Sequence, residues 1–91
     1  MKYSLFVYEE TQHKVYFAIE GSNQKKVQGN TLEQLAAEAA IRQIEARDIE
    51  DSVEEGLLKH VQKMYRITDS IRAATPKEII ALKKAMGNQK I

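Results

Sequence analysis

The sequence has no cysteine and no tryptophan, one proline and four glycines. The missing thiols exclude a disulfide framework and a thiolate metal site. No apolar run approaches the roughly 20 residues that a membrane span needs. The opening Met1-Lys2-Tyr3-Ser4 lacks an apolar leader with a small-residue cleavage site, so the expected location is the cytoplasm. Catalytic side chains are equally scarce. There are two histidines, His13 and His60, and neither stands in a hydrolase motif. No GxxxxGK[ST] phosphate loop occurs. His60 and Met64 share a helix face in the manner of a haem or copper pair, but a pair of that kind is more often packing, and His60 is read at the border of the apolar stripe. Glu50, Asp51, Glu54 and Glu55 crowd together where the first turns of a helix favour negative charge, and nothing in their spacing forces metal binding. The expectation is a protein that is not an enzyme, with no cofactor and no metal.

What is present is enough for one small domain, residues 1–91. Apolar residues make up 43% and charged residues 30%, the balance of a globular chain. The net charge of +1 hides an uneven distribution. Residues 31–60 carry a net −5 and residues 61–91 a net +5. Such asymmetry marks either a polyanion surface or plain helix-end complementarity, and the second reading is preferred.

The pattern predicts an α+β fold: a small antiparallel sheet followed by three helices. Residues 3–8 and 14–20 are rich in aromatic and β-branched types around a polar connection, which reads as a hairpin. Alternation is taken to put Leu5 and Val7 with Val15, Phe17 and Ile19, and Phe6 and Tyr8 with Tyr16 and Ala18. Gly21-Ser22-Asn23 reads as a turn, and Lys25 to Gln28 as a short third strand within a 1–30 sheet region. Asn30 or Thr31 caps a helix over 31–47, with Glu33 or Gln34 as the capping-box partner. Its Leu32, Leu35 and Ala36 side is expected on the sheet, with Phe17 and Leu35 meeting there. Its Ala37, Ala40, Ile41 and Ile44 side should receive the next helix. That helix is expected over 50–73, on a stripe of Val53, Leu57, Val61, Met64, Ile67 and Ile71. Thr75-Pro76-Lys77-Glu78 opens the last helix, 75–87, which Gly87 caps.

Two sets of residues are candidates for function. Phe6, Tyr8 and Tyr16 would form an aromatic outer sheet face, with Leu58 and Tyr65 as a second contact stripe on the long helix. Together they are the candidate partner-binding residues, for a homodimer or a small protein partner. Strand one has no proline, and no lysine after Lys2, so its edge offers a route to sheet extension. Lys59, Lys63 and Arg66, spaced four and three, form a basic stripe for the alternative, nucleic-acid binding. Glu55 precedes Lys59 by four, an ordinary solvated pairing, and a wet helix face is the bland account of all three cations.

Residues 1–47 resemble the HicB-type antitoxins of bacterial toxin–antitoxin pairs. The resemblance lies in Met1-Lys2-Tyr3, the hairpin, and Val27-Gln28-Gly29-Asn30-Thr31-Leu32-Glu33-Gln34-Leu35-Ala36. It implies a strand–strand–strand–helix module that binds a small toxin, of a kind carried on mobile genetic elements. The Pro-Gly-Cys-like turn of that family is replaced here by Gly21-Ser22-Asn23-Gln24. Residues 75–87 are similar to the first helix of a repressor-type helix-turn-helix, which implies a domain cut from a longer regulator. The strand-plus-helix module also resembles the arm-type DNA-binding domain of tyrosine recombinases. Taken together, these readings predict a regulatory protein–protein interaction module, with a small DNA- or RNA-binding module as the alternative.

Overall fold

The computed structural model describes residues 2–20, 25–66 and 70–88. Strands β1 (Tyr3–Glu10) and β2 (His13–Glu20) form a hairpin turned by Thr11 and Gln12. Strand β3 (Lys25–Gly29) lies antiparallel beside β2. A fourth strand, β4 (Ile71–Ala73), pairs antiparallel with the other edge of β1, giving the order β3-β2-β1-β4. The helices are α1 (Leu32–Ile41), α2 (Glu55–Tyr65) and α3 (Pro76–Asn88). The fold is therefore α+β, with one more strand than the sequence suggests. The Gly21-Ser22-Asn23 turn and Ile67 lie outside the described residues.

Residues directly opposed across an antiparallel pair share a sheet face. Phe6 opposes Phe17, Tyr8 opposes Val15 and Ser4 opposes Ile19 on one face. Leu5 opposes Ala18 and Val7 opposes Tyr16 on the other. This is one residue away from the expected pairing, and a one-residue slip exchanges every side chain of a strand between faces. The cause is plain in the composition. Both faces of both strands are apolar, so alternation gives no sign of which side is inward.

Each face has its own core. Leu5, Val7, Tyr16 and Ala18 pack with Leu35, Ala36 and Ala39 of α1 and with Ile79, Leu82 and Met86 of α3. Phe6, Phe17 and Ile19 pack with Val61 and Ile71, flanked by Leu57, Leu58 and Tyr65 of α2. The sheet is thus sandwiched between an α1–α3 layer and α2. Phe17 and Leu35, expected to meet, lie on opposite faces. Helix α1 packs against α3 rather than against the helix that follows it, and Ala40 and Ile41 of the flank expected to be covered stay exposed.

Strand β1 is interior, which closes the edge that was expected to be free. The Glu50 N–H donates to the Tyr3 carbonyl, the Ala74 N–H to Leu5 and the Glu9 N–H to Ser70, and β4 pairs between them.

Helix ends explain the remaining differences. Helix α1 stops at Ile41, short of residue 47, because Gln43 turns left-handed at φ 60°. The Gln43 N–H then donates to Ala40 and the Ile44 N–H to Ala39, a Schellman closure with glutamine where glycine is usual. Thr31 is the N-cap: its Oγ1 accepts from the Gln34 N–H at 3.1 Å, and Gln34 Oε1 accepts from the Asn30 N–H at 2.9 Å. The helix expected over 50–73 is in fact α2 plus β4. It starts at Glu55 and ends at Tyr65, with Arg66 left-handed at φ 57°. Its three-and-four stripe reached Ile71 because Ile71 and Val61 share a core, not a helix. Helix α3 opens on the expected capping box between Thr75 and Glu78, but runs through Gly87 instead of stopping before it.

Candidate interaction surface

The five candidate partner residues do not form one outer face. Phe6 has no exposed surface and stacks on Phe17 at 5.6 Å beneath α2. Tyr16 is buried on the opposite face, in the α1–α3 core. Tyr8, Leu58 and Tyr65 are half-buried and flank the α2 core. The premise of an uncovered aromatic face fails because α2 covers it.

Helix α2 does not cover that face completely. A cleft of about 210 Å³ remains, lined by Tyr8, Val15, Phe17, Lys26, Gln28, Tyr65 and Ile71. Its floor is apolar, from Val15, Phe17 and Ile71. Tyr65 stands on the α2 side, edge-on to Phe17 at 6.2 Å between centroids. The Lys26 ammonium lies 5.2 Å from the Tyr65 ring centroid, a cation–π contact. Tyr8 stands on β1, and Glu10, by hydrogen-bonding its phenol, holds it above the usual tyrosine range, with burial adding to this. Lys26, Gln28, Val15 and Ile71 were missed as site residues. The signal available was the strand-three alternation, which puts Lys26 and Gln28 on one face.

Strand β3 borders this cleft. Among the described residues its outer edge takes no backbone hydrogen bond beyond the pairing with β2.

The basic stripe is where the sequence puts it. Lys59 and Lys63 are exposed along α2, and Arg66 is exposed as its C-cap. Lys59 lies 3.9 Å from Glu55, both side chains largely in water. Other cations of the basic tail are used internally. Arg72 grips Glu78, and Lys83 reaches Asp51 at 2.5 Å. That ammonium holds the Asp51 carboxyl below the usual carboxylate range.

The remaining features carry less chemistry. His60 is exposed on α2 rather than set at the core's edge, and Met64 is half-buried. Among the described residues, no three histidine or acidic side chains group in a way that could hold a metal ion. The Tyr3 phenol is held above its usual range, first by burial and then by the Glu20 carboxylate. Among the described residues, Ile41 and Ile80 are the large apolar residues left exposed, at 74% and 66%. No helix among the described residues is long and apolar enough to cross a membrane.

Comparison with protein-family models, with curated proteins and with solved structures finds no match for this chain.

Proposed function

We propose that this chain is a non-enzymatic, antitoxin-like regulatory module that binds another protein through the cleft walled by Tyr8 and Tyr65, with Leu58 two turns back along α2. The observation that carries the reading is an apolar-floored opening beside a sheet edge that, among the described residues, takes no backbone hydrogen bond beyond β2. At about 210 Å³ the cleft is smaller than the ~300–1,000 Å³ of ordinary small-molecule sites, and it suits one bulky side chain of a partner. An extended segment laid on β3 would turn alternate side chains toward this face. The partner is a different small protein rather than a second copy. The two arguments for self-association, an open aromatic face and an open β1 edge, are both satisfied within one chain. The resemblance of residues 1–47 to antitoxins supports a small toxin as the kind of partner.

Random-peptide display on the purified chain tests this. Selected peptides should carry a bulky apolar residue in an extended segment. They should shift the amide resonances of Val15, Gln28 and Tyr65. Tyr65→Glu should weaken them by about tenfold or more, as loss of a central aromatic contact does. No enrichment, or resonance shifts confined to the neighbourhood of Ile41 and Ile80, would sink the proposal.

A further inference from the structure

We propose a second binding surface, adjoining the cleft: the exposed face of α2, extended by Lys26 at the cleft's rim, takes the phosphate backbone of duplex nucleic acid. Three observations converge on it. First, α2 is pinned by one side only. Val61 is buried, Leu57, Leu58, Met64 and Tyr65 are half-buried, and Gly56, Lys59, His60, Lys63 and Arg66 face solvent. From Gly56 to Arg66 there is no acidic residue. Lys59 and Lys63 are therefore held on a rigid element with Arg66 as its C-cap, and Glu55, one turn before Lys59, is the carboxylate that faces the start of this row.

Second, among the described residues, the fold separates cations held close to a carboxylate from those that are not. Arg72 and Lys83 are committed to Glu78 and Asp51. Arg47, within the acidic stretch, is bound to Glu45 at 2.6 Å. Lys59 is held only by a long, exposed contact to Glu55, which water and salt readily displace. By helical rise, Lys63 lies about 6 Å beyond Lys59 along the axis, and Arg66 follows as the left-handed C-cap of the helix. Lys26, standing over Tyr65, adds a fourth cation from β3 at the C-terminal end of this row.

Third, the surface is built for phosphates rather than for bases. Tyr65 has Phe17 against it and Lys26 over its ring, so it offers no free platform for stacking. Single-stranded recognition depends on such platforms, whereas a sequence-independent duplex contact needs only positioned cations. The ligand is therefore a duplex, bound without base selectivity.

Fluorescence anisotropy with a labelled 20-base-pair duplex, and with one of its strands alone, decides the matter. Four phosphate contacts predict a slope of about −3 to −4 in log K against log salt, or about a fifty-fold loss between 50 and 150 mM. Replacing Lys59, Lys63 and Arg66 together by glutamine should flatten the slope by about two to three units. Lys77→Gln with Lys84→Gln, on the exposed side of α3, should leave it unchanged, and thermal melts of both variants should match the parent. No binding at 20 mM salt would overturn the proposal. So would a slope set by Lys77 and Lys84, tighter binding of the single strand, or stronger binding to vesicles of phosphatidylserine and phosphatidylcholine than to the duplex.

Discussion

Arg72 holds Glu78 with both ends of its guanidinium, Nη1 to Oε1 at 2.7 Å and Nη2 to Oε2 at 3.1 Å. The same carboxylate accepts from the Thr75 N–H at 2.9 Å, which makes it also the far arm of the α3 capping box. One side chain thus fastens β4 to the start of α3, and Arg72 adds a longer contact to Glu9 of β1 at 3.5 Å. Arg72, foremost, holds the Glu78 carboxyl far below the ordinary 4.5, down to about 2.

That depression makes a pH prediction of definite sign. A carboxyl whose folded pKa is lowered contributes stability above its unfolded pKa and loses it as pH falls through the folded one. The contribution of Glu78 should be complete above about pH 4.5 and fade between there and about pH 2. Glu78→Gln should cost about 2 kcal/mol at pH 7, as charge-assisted hydrogen bonds do. Urea denaturation of parent and variant at pH 7, 4 and 2.5 checks this. A gap that stayed constant across the series would assign the loss to the cap alone.

Gly29 should not tolerate a side chain. A Cβ there would stand 2.5 Å from the Leu35 nitrogen and 2.9 Å from the Gln34 carbonyl carbon, both backbone. Neither can swing aside, because Thr31 and Gln34 fix the first turn of α1 against the end of β3. Gly29→Ala should therefore cost about 1–3 kcal/mol, the usual range for overpacking. Gly56→Ala, where an added Cβ meets nothing within 4 Å, should instead gain up to about 1 kcal/mol through helix propensity. Parallel thermal melts of the two variants compare them directly.

How far the sequence could be read depended on whether a local signal existed. The hairpin was legible from two strand-rich runs around a short polar connection, and the Thr31 cap and the Thr75–Glu78 box because each is carried by residues within four of one another. The end of α1 was not, since Gln43 takes the left-handed position without a glycine to announce it. Strand β4 was hidden because Ile71 continued the period of α2, and only the unpaired edge of β1 called for a strand there. The site divided in the same way. The basic stripe is a property of one helix and could be counted from the spacing of Lys59, Lys63 and Arg66. The cleft draws on β1, β2, β3, α2 and β4 together, and its form depends on a register that two doubly apolar strands do not specify.

The facing of β2 can be tested by coupling rather than by loss alone. Phe17 touches Tyr65 edge-on, while Leu35 packs on the far side of the sheet. Phe17→Leu and Leu35→Val are mild changes that should each cost about 1 kcal/mol and leave the protein folded. Combined, they should add within about 0.5 kcal/mol, because they share no partner. Phe17→Leu with Tyr65→Leu should depart from additivity by more than that. The reverse pattern would put Phe17 under α1 and return the sheet to the register first read from the sequence.

The chain alone should be a monomer at micromolar concentration. Self-association needs apolar surface left over after folding, and here each sheet face carries a helical layer, one of α1 and α3, the other of α2 with a cleft of about 210 Å³ beside it. It could also proceed through a free strand edge, but β1 is bonded along both sides. The exposed edge of β3 begins Lys25-Lys26, so pairing two copies through this edge would set lysine against lysine, a cost that a different partner's segment does not carry. Among the described residues, the large apolar side chains left exposed are Ile41 and Ile80, on two different helices, too little for an interface of the ~1,200–2,000 Å² that stable association usually buries. Sedimentation equilibrium should return the mass of one chain, 10.4 kDa, and Tyr8→Glu and Tyr65→Glu should leave it unchanged. A dimer mass lost on Tyr65→Glu would make the cleft a contact between copies and remove the need for a different partner. A dimer mass lost only on Ile80→Glu would instead move the interface to the α1–α3 layer and leave the cleft free for its own ligand.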